Sequence, residues 1–518
     1  MKKSLIVIIL LAFGLFSCKN KEETIDEVKT EIVETPEGTP TVETPEPTIE
    51  IVSINIVIID TITNEENSLK LEKNKLYSKD ELGIKEYDGY DFVGLSYEEN
   101  GQIISQQPYS FLESVNLYAN YKINDEFFLI DEVYDVYIVC KEDITDKENY
   151  RDATITIEDK EYGLDEDVLI RLRGNSTLHQ PKKPYKLKFD KKVSLLGMEE
   201  DKEWALLANY FDPTHMRNYY AYKLAIALGL EYSIDLRFVN LFLNGVNQGI
   251  YLLTETVKTS SNRVDIEEKN LTGEEVPFLI ELDMKVVDDN SNYQDVLDDE
   301  AFILSNEKYN GKQYPFATKY PKSFKDITDE QYSYIKNYMK NVYTSVRNGN
   351  FSEYIDLESF IDYFLVQEIF MNVDLDYSSV YMYKPMGEKL HFGPIWDFDL
   401  SSGNVSYVNN YHALTTMFKC NGGNYLFAKA LEDPEFNDMV NERILEIEYI
   451  VRKMLNSIDA NYTKLLYYAT TDNLKWHVLN DHNWARPEHL VGITYREQVD
   501  FLKNYLAQHY SYLRNAKL

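Results

Sequence analysis

FLVQEIFMNVDLDYSSVYMYKPMGEKLHFGPIWDFDLSSGN, the stretch from Phe364 to Asn404, decides how this chain is read. It begins as the end of an apolar helix and runs into two acids, Asp374 and Asp376. An alternating run, a Met386-Gly387 turn and a second alternating run follow, closing on Trp396-Asp397-Phe398-Asp399. Two short strands around a tight turn predict a hairpin. A hairpin brings its outer ends together, which sets Asp374 beside Asp397. Neighbouring carboxylates repel unless a cation, a proton or a substrate relieves them. The arrangement suits a divalent-metal, phosphate-handling site, where one acid orients or deprotonates an acceptor hydroxyl and another holds Mg²⁺ on the phosphates. Either acid alone is equally well read as a turn cap. As a pair joined by one hairpin, they favour the chemistry.

Working outward, LESFIDYFLVQEIFM beyond Asp356 is apolar nearly all round, which predicts a buried helix. From about Asn424 the pattern is mostly helical. Upstream, VYDVYIVC, ATITIED, VLIRLRGN and KPYKLKFD read as strands. Asp212-Pro213 predicts a helix start, with Asp as N-cap and Pro at the first position, and Gly229 its stop. FVNLFLNGVNQGIYLLTET predicts a hairpin turning at Asn244-Gly245. Strands first and helices later give an α+β fold with two lobes.

The densest basic segment, Arg171 to Lys192, carries eight cations in a chain of net charge -34. Gly174-Asn175-Ser176 offers a turn with backbone donors and a hydroxyl. Arg173 can fork onto a phosphate, with Lys186 and Lys188 adding point charges from a strand. The competing reading is a solvated edge strand guarded by lysines. Glu255, on the returning strand of the Asn-Gly hairpin, can pair with Lys186 or Lys188 and hold it toward a phosphate. The eight histidines show no zinc spacing. No Gly-rich P-loop and no G-x-S-x-G elbow is present.

At 518 residues the chain has room for two or three domains. Its charge argues against nucleic acid as a partner, and against anionic lipid binding through the protein surface. Residues 1–17 read as a signal peptide: Lys2 and Lys3, then an apolar run from Leu5 to Phe16 that is short for a membrane span. Leu15-Phe16-Ser17-Cys18 resembles a bacterial lipobox, with Cys18 as the lipidated first mature residue. Residues 18–50, rich in Glu, Thr, Pro and Lys, read as a disordered tether. Together these predict a membrane-anchored lipoprotein at the cell surface or facing the periplasm, its membrane contact through the lipid alone. Cys140 and Cys420 are either one disulfide or two buried thiols.

Residues 51–124 resemble a small repeat of bacterial surface proteins with a β-grasp-like fold. Gly89, Tyr90, Phe92, Gly94, Val115, Leu117, Tyr118, Ala119 and Tyr121 match it, and Leu95 stands where a tryptophan is usual.

RLRGNST with KKPYKLKF, LLGM, WALLANYFDPTHMRN, VNLFLNGVNQGIYLLTE, FLIELD, NVDLDYSSVYMY and LHFGPIWDFDLSSGN occur in that order. In this combination the chain resembles the CotH family, spore-coat-protein-H-like atypical protein kinases, over a domain placed at 125–518. The resemblance implies a two-lobed kinase-like fold, ATP, Mg²⁺ or Mn²⁺, and phosphorylation of Ser/Thr on a secreted or surface protein. It makes Asp374 the catalytic acid, with Asp376 as the alternative, and Asp397 the metal-binding acid. Asp399 is a further metal ligand, and Ser379 stands where the family often carries a metal-holding Asn. Arg173, Asn175, Ser176, Lys186, Lys188 and Glu255 fall to the nucleotide. The runner-up is a non-catalytic adhesin or binding protein on the same scaffold, since a fold does not fix activity. A carboxylate-pair glycosidase has no support beyond the two acids.

Overall fold

The computed structural model describes residues 52–516 apart from 88, 100, 106, 269–270, 289–298, 310–311, 418 and 420–424. The leader at 1–17, Cys18, the tether and Cys420 lie outside the described residues. Cys140 is buried and free. Among the described residues no helix is long and apolar enough to cross a membrane.

The first strands, β1 (Ser53–Asp60), β2 (Glu66–Glu72), β3 (Tyr90–Ser96) and β4 (Val115–Ile123), form a sheet in the order β2-β1-β4-β3, with β1 and β4 parallel. Period-two alternation turns Ile54, Ile56 and Ile58 inward onto Leu71, Leu95 and Leu117. Leu95 is fully buried in the place the repeat pattern gives to tryptophan.

The strands β5 (Val133–Cys140), β6 (Arg151–Ile157), β7 (Leu164–Leu172), β8 (Tyr185–Val193), β9 (Asp201–Leu207), β10 (Leu236–Leu243) and β11 (Val246–Thr254) close into a barrel. The closing pair, β5 with β10, is parallel and runs from Val133 opposite Phe238 to Ile138 opposite Leu243. Inward-facing Val136, Ile155, Ile170, Leu187, Trp204 and Leu241 pack its interior. The sequence reading did not foresee this closure. It also removes one reading of the basic segment, because β8 sits between β7 and β9 and its lysines guard no edge. The β10–β11 hairpin turns at Asn244 and Gly245, at φ 52° and 75°. Positive φ at both central residues gives the twist a two-residue hairpin needs.

Helix α1 (Arg217–Leu228) lies between β9 and β10 and ends at left-handed Gly229. It begins four residues later than the Asp-Pro signal predicts. Asp212 is spent on the loop ahead of it: its carboxylate accepts the Thr214 and Arg217 N–H groups at 3.0 and 2.9 Å and pairs with the Arg217 guanidinium at 2.5 Å.

A second, antiparallel sheet follows, made of β12 (Phe278–Leu282), β13 (Ala301–Tyr309), β14 (Lys312–Tyr320), β15 (Val380–Lys384) and β16 (His391–Phe392), in the order β13-β14-β12-β15-β16. The predicted hairpin is its β15–β16 end. A short turn, α2 (Lys285–Asp288), leaves β12, and α3 (Asp329–Asn348) crosses to α4 (Leu357–Phe370). Asp356 caps α4 by accepting the Ser359 N–H at 2.8 Å, and every residue from Phe360 to Phe370 is buried. Each large apolar side chain buried there contributes about 1.5–3 kcal/mol. Then come α5 (Tyr425–Ala430), α6 (Pro434–Glu446), α7 (Glu448–Trp476) and α8 (Tyr495–Ala516). These helices share one core with α1 and the second sheet. A buried hub ties α7 to the barrel: Asp472 pairs with Lys182 at 2.6 Å and accepts the Ile250 N–H at 3.1 Å.

Candidate active site

A cavity of about 470 Å³ opens between the barrel and the second sheet. Its barrel wall holds Arg173, Gly174, Asn175, Ser176 and Lys186, with Lys147 and Arg171 beside them. Gly174 has φ 87°, and a Cβ there would meet Thr177 Oγ1 at 2.5 Å, so only glycine lets the rim turn so tightly. Asn175 Oδ1 accepts from Lys147 Nζ at 3.1 Å. The Arg173 guanidinium lies over the Trp396 ring, 5.2 Å from its centroid. Burial lowers its proton affinity, and the charge of Asp397 opposes that.

The predicted partnership of the strand lysines needs correction. Lys186 pairs with Glu203 on β9 at 2.8 Å, and burial, opposed by Glu203, lowers its ammonium. Lys188 is exposed, sits 5.7 Å from the Tyr150 ring centroid and does not line the cavity. Glu255 does not line it either, and pairs with Arg263 at 2.7 Å. The reason is local. Glu255 falls just past the end of β11, where its N–H donates to the Asp235 carbonyl and its Oε2 accepts the Asp235 N–H, turning the side chain toward Arg263. Burial pushes this carboxyl up to about 7, against the opposing charge of Arg263.

The opposite wall carries the acids. Helix α4 ends at Met371 in the left-handed region, and Asn372 then accepts the Asp374 N–H at 3.2 Å, fixing the turn from Val373 to Asp376. The Asp376 side chain lies outside the described residues. Beyond β16, Asp397 adopts φ 65°. Its N–H donates to Tyr222 Oη at 3.3 Å, and the next N–H, of Phe398, donates to Asn218 Oδ1 at 2.7 Å. Both partners stand on α1, so the barrel-side helix sets the direction of the acid. Asp399 is buried, with its carbonyl accepting from Asn404 Nδ2 at 2.7 Å. Ser379 is buried and lines the same cavity; its N–H donates to Glu281 Oε1 at 3.2 Å.

Asp374, Asp397 and Asp399 therefore face one space. Burial and then the charge of Asp397 raise the Asp374 carboxyl well above the ordinary carboxylate range, with Lys285 opposing. Asp399 is raised for the same reasons: burial first, then Asp397 and Asp374, with Arg217 opposing. Such a group holds excess negative potential that a proton or a cation relieves. Among the described residues no three His, Cys, Asp or Glu side chains form a closed metal centre. Mg²⁺ uses one or two carboxylates and completes its shell with phosphate oxygens and water, so Asp397 and Asp399 fit it as a donor set.

Sequence reasoning missed Lys285 and Glu203. The signal for Lys285 was its place two residues after the acid that ends FLIELD. For Glu203 it was its place on the strand neighbouring the basic one.

A cationic barrel wall thus faces an acid cluster across one cleft, an arrangement with room for an anionic ligand together with a cation. The family model described as CotH kinase protein matches residues 170–513, and the chain belongs to this family. The matched span starts inside β7, so β5, β6 and most of β7 precede it and yet complete the barrel. No curated protein matches the chain.

Proposed function

We propose that the chain is an ATP-dependent protein kinase that phosphorylates Ser/Thr of secreted or surface proteins, held at the membrane by lipid on Cys18. The barrel and the helix-rich remainder act as the two lobes. The observation that carries the reading is the convergence of Asp374, Asp397 and Asp399 with Arg173 and Lys186 on one cavity.

Asp374 takes the proton of the acceptor hydroxyl; its raised proton affinity suits a general base near neutral pH. Asp397 and Asp399 hold Mg²⁺ or Mn²⁺, which when bound neutralises charge on the phosphates. Arg173 and Lys186, with the Gly174-Asn175-Ser176 turn, cradle the phosphate chain. Glu203 keeps the Lys186 ammonium directed. Ser379 contributes a hydroxyl to the same space.

The test is incubation of purified protein with γ-labelled ATP, Mg²⁺ or Mn²⁺, and a cell-surface extract. Label on Ser/Thr with wild type, and none with Asp374→Ala, is the expected result. Equal labelling by wild type and by both Asp374→Ala and Asp397→Ala overturns the roles. Absence of any nucleotide binding would leave the adhesin reading in its place.

A further inference from the structure

We propose that Lys285 contacts the terminal phosphoryl group of the nucleotide and stabilises it during transfer. The inference rests on the kinase reading and assigns a catalytic contact to a residue of the second sheet.

Lys285 starts α2, directly after β12. The end of β12 is stitched to the segment that follows Asp374. Ser379 N–H donates to Glu281 Oε1 at 3.2 Å, and Met284 N–H to the Tyr377 carbonyl at 2.8 Å. The Lys285 N–H donates to Asp283 Oδ1 at 3.1 Å, and its ammonium to Ser378 Oγ at 3.3 Å. The ammonium is thereby fixed relative to Asp374, in the cavity that also holds Asp397.

Of the three other lysines that line the cavity, Lys186 is neutralised by Glu203 at 2.8 Å and Lys319 by Glu281 at 2.7 Å, while Lys147 stands on the barrel rim and donates to Asn175 Oδ1 at 3.1 Å. Lys285 has no carboxylate within ion-pair distance among the described residues, and one of its three protons is used on Ser378. Two donors remain for an anion. Asp374 and Asp397 hold the ammonium in its charged form from a distance, although burial acts against it. Arg173 meets the same space from the barrel side. An anion placed there is gripped from both walls.

In the transfer step the acceptor oxygen forms a bond to the γ-phosphorus as the bond from that phosphorus to the β,γ-bridging oxygen breaks. The bridging oxygen leaves with the electron pair on ADP. The hydroxyl proton goes to Asp374, and Lys285 keeps its protons throughout. A fixed cation facing the equatorial oxygens needs no reorganisation as their charge redistributes.

The experiment uses the full chain with Lys285→Met and Lys285→Ala, titrated with ATP and with ADP in Mg²⁺, alongside phosphate-transfer kinetics. Loss of a contact to the γ-phosphate alone should weaken ATP binding about tenfold and leave ADP binding within about twofold of wild type. It should lower kcat by about 10²–10³-fold. Retained ADP binding reports that the variants are folded. Wild-type ATP affinity and kcat in both variants overturn the proposal, as does equal weakening of ATP and ADP. Failure of wild type to bind ATP strikes the kinase reading itself, which is a separate outcome.

Discussion

On the barrel side of the cavity, Arg173 and Lys186 come from or next to paired strands, β7 and β8, whose register is set by a closed ladder. On the other side, Asp374, Asp397 and Asp399 come from short turns flanking the β15–β16 hairpin. The barrel wall owes its geometry to backbone hydrogen bonds along its strands. The acid wall owes its geometry to side chains on another element, such as Asn218 and Tyr222 of α1. A cation on a strand can be moved little without opening the barrel. An acid on a turn is held by a few local bonds and pays for its position in mutual repulsion, which a bound cation relieves. On the proposed reading the barrel supplies a fixed cradle and the turns supply the reactive groups.

Variants of the acid wall should give the largest effects. Asp397→Ala should abolish metal-dependent nucleotide binding, read by calorimetry with and without Mg²⁺. Asp374→Ala should keep that binding and lose about 10²–10⁴-fold in transfer rate. If both lose only binding, the two acids share one role and the division within this wall is wrong.

The hub behind the barrel wall tests whether the cradle is as rigid as its ladder implies. Asp472→Ala leaves Lys182 buried without its partner, which costs about 3–5 kcal/mol of stability in such cases. Denaturant unfolding reads that loss. A change under about 1 kcal/mol would mean that the hub is not what joins α7 to the barrel.

A smaller effect separates the two glutamates competing for the basic strand. Glu203→Gln should raise KM for ATP by about fivefold, the size of one weakened charged hydrogen bond. Glu255→Gln should leave KM unchanged. The reverse outcome would restore the Lys–Glu255 pairing that the hairpin position suggested.

The smallest effect concerns the segment that follows Asp399. Both oxygens of Glu368 face the Met417 N–H, at 3.1 and 3.2 Å, and burial pushes this carboxyl up to about 8. A folded-state pKa above the unfolded value favours the folded state at low pH and loses that stabilisation as pH rises. The window runs from the usual Glu value near 4.5 to about 8. The melting temperature of wild type should therefore fall more steeply with pH between about 4.5 and 8 than that of Glu368→Gln, and the two should run parallel above that range. Parallel curves within it would mean that Glu368 is ionised in the fold.

Much of the acid wall was legible in the sequence because its signals are local. The apolar run from Leu357 fixes the buried helix, and the hairpin brings its ends together, whichever sheet it joins. Asn244-Gly245 was readable for the same reason, since the turn demands those residue types. The barrel was not readable, because its closing β5–β10 pair joins residues about a hundred positions apart and leaves no periodic mark. Lys285 and Glu203 escaped for a related reason: each acts across a tertiary contact, toward Ser378 and Lys186, that spacing along the chain does not encode. Asp212 shows the opposite failure. Its Asp-Pro signal is a good helix start, but a buried arginine five residues on takes its carboxylate.

The central claim is that both walls grip one metal–nucleotide complex. Calorimetric titration of wild-type protein with ATP, in Mg²⁺ and then in chelator, tests it most directly. The account predicts a single saturable site in Mg²⁺ that is lost in chelator. Heat-free titration with every divalent cation, or binding that ignores the chelator, would contradict it.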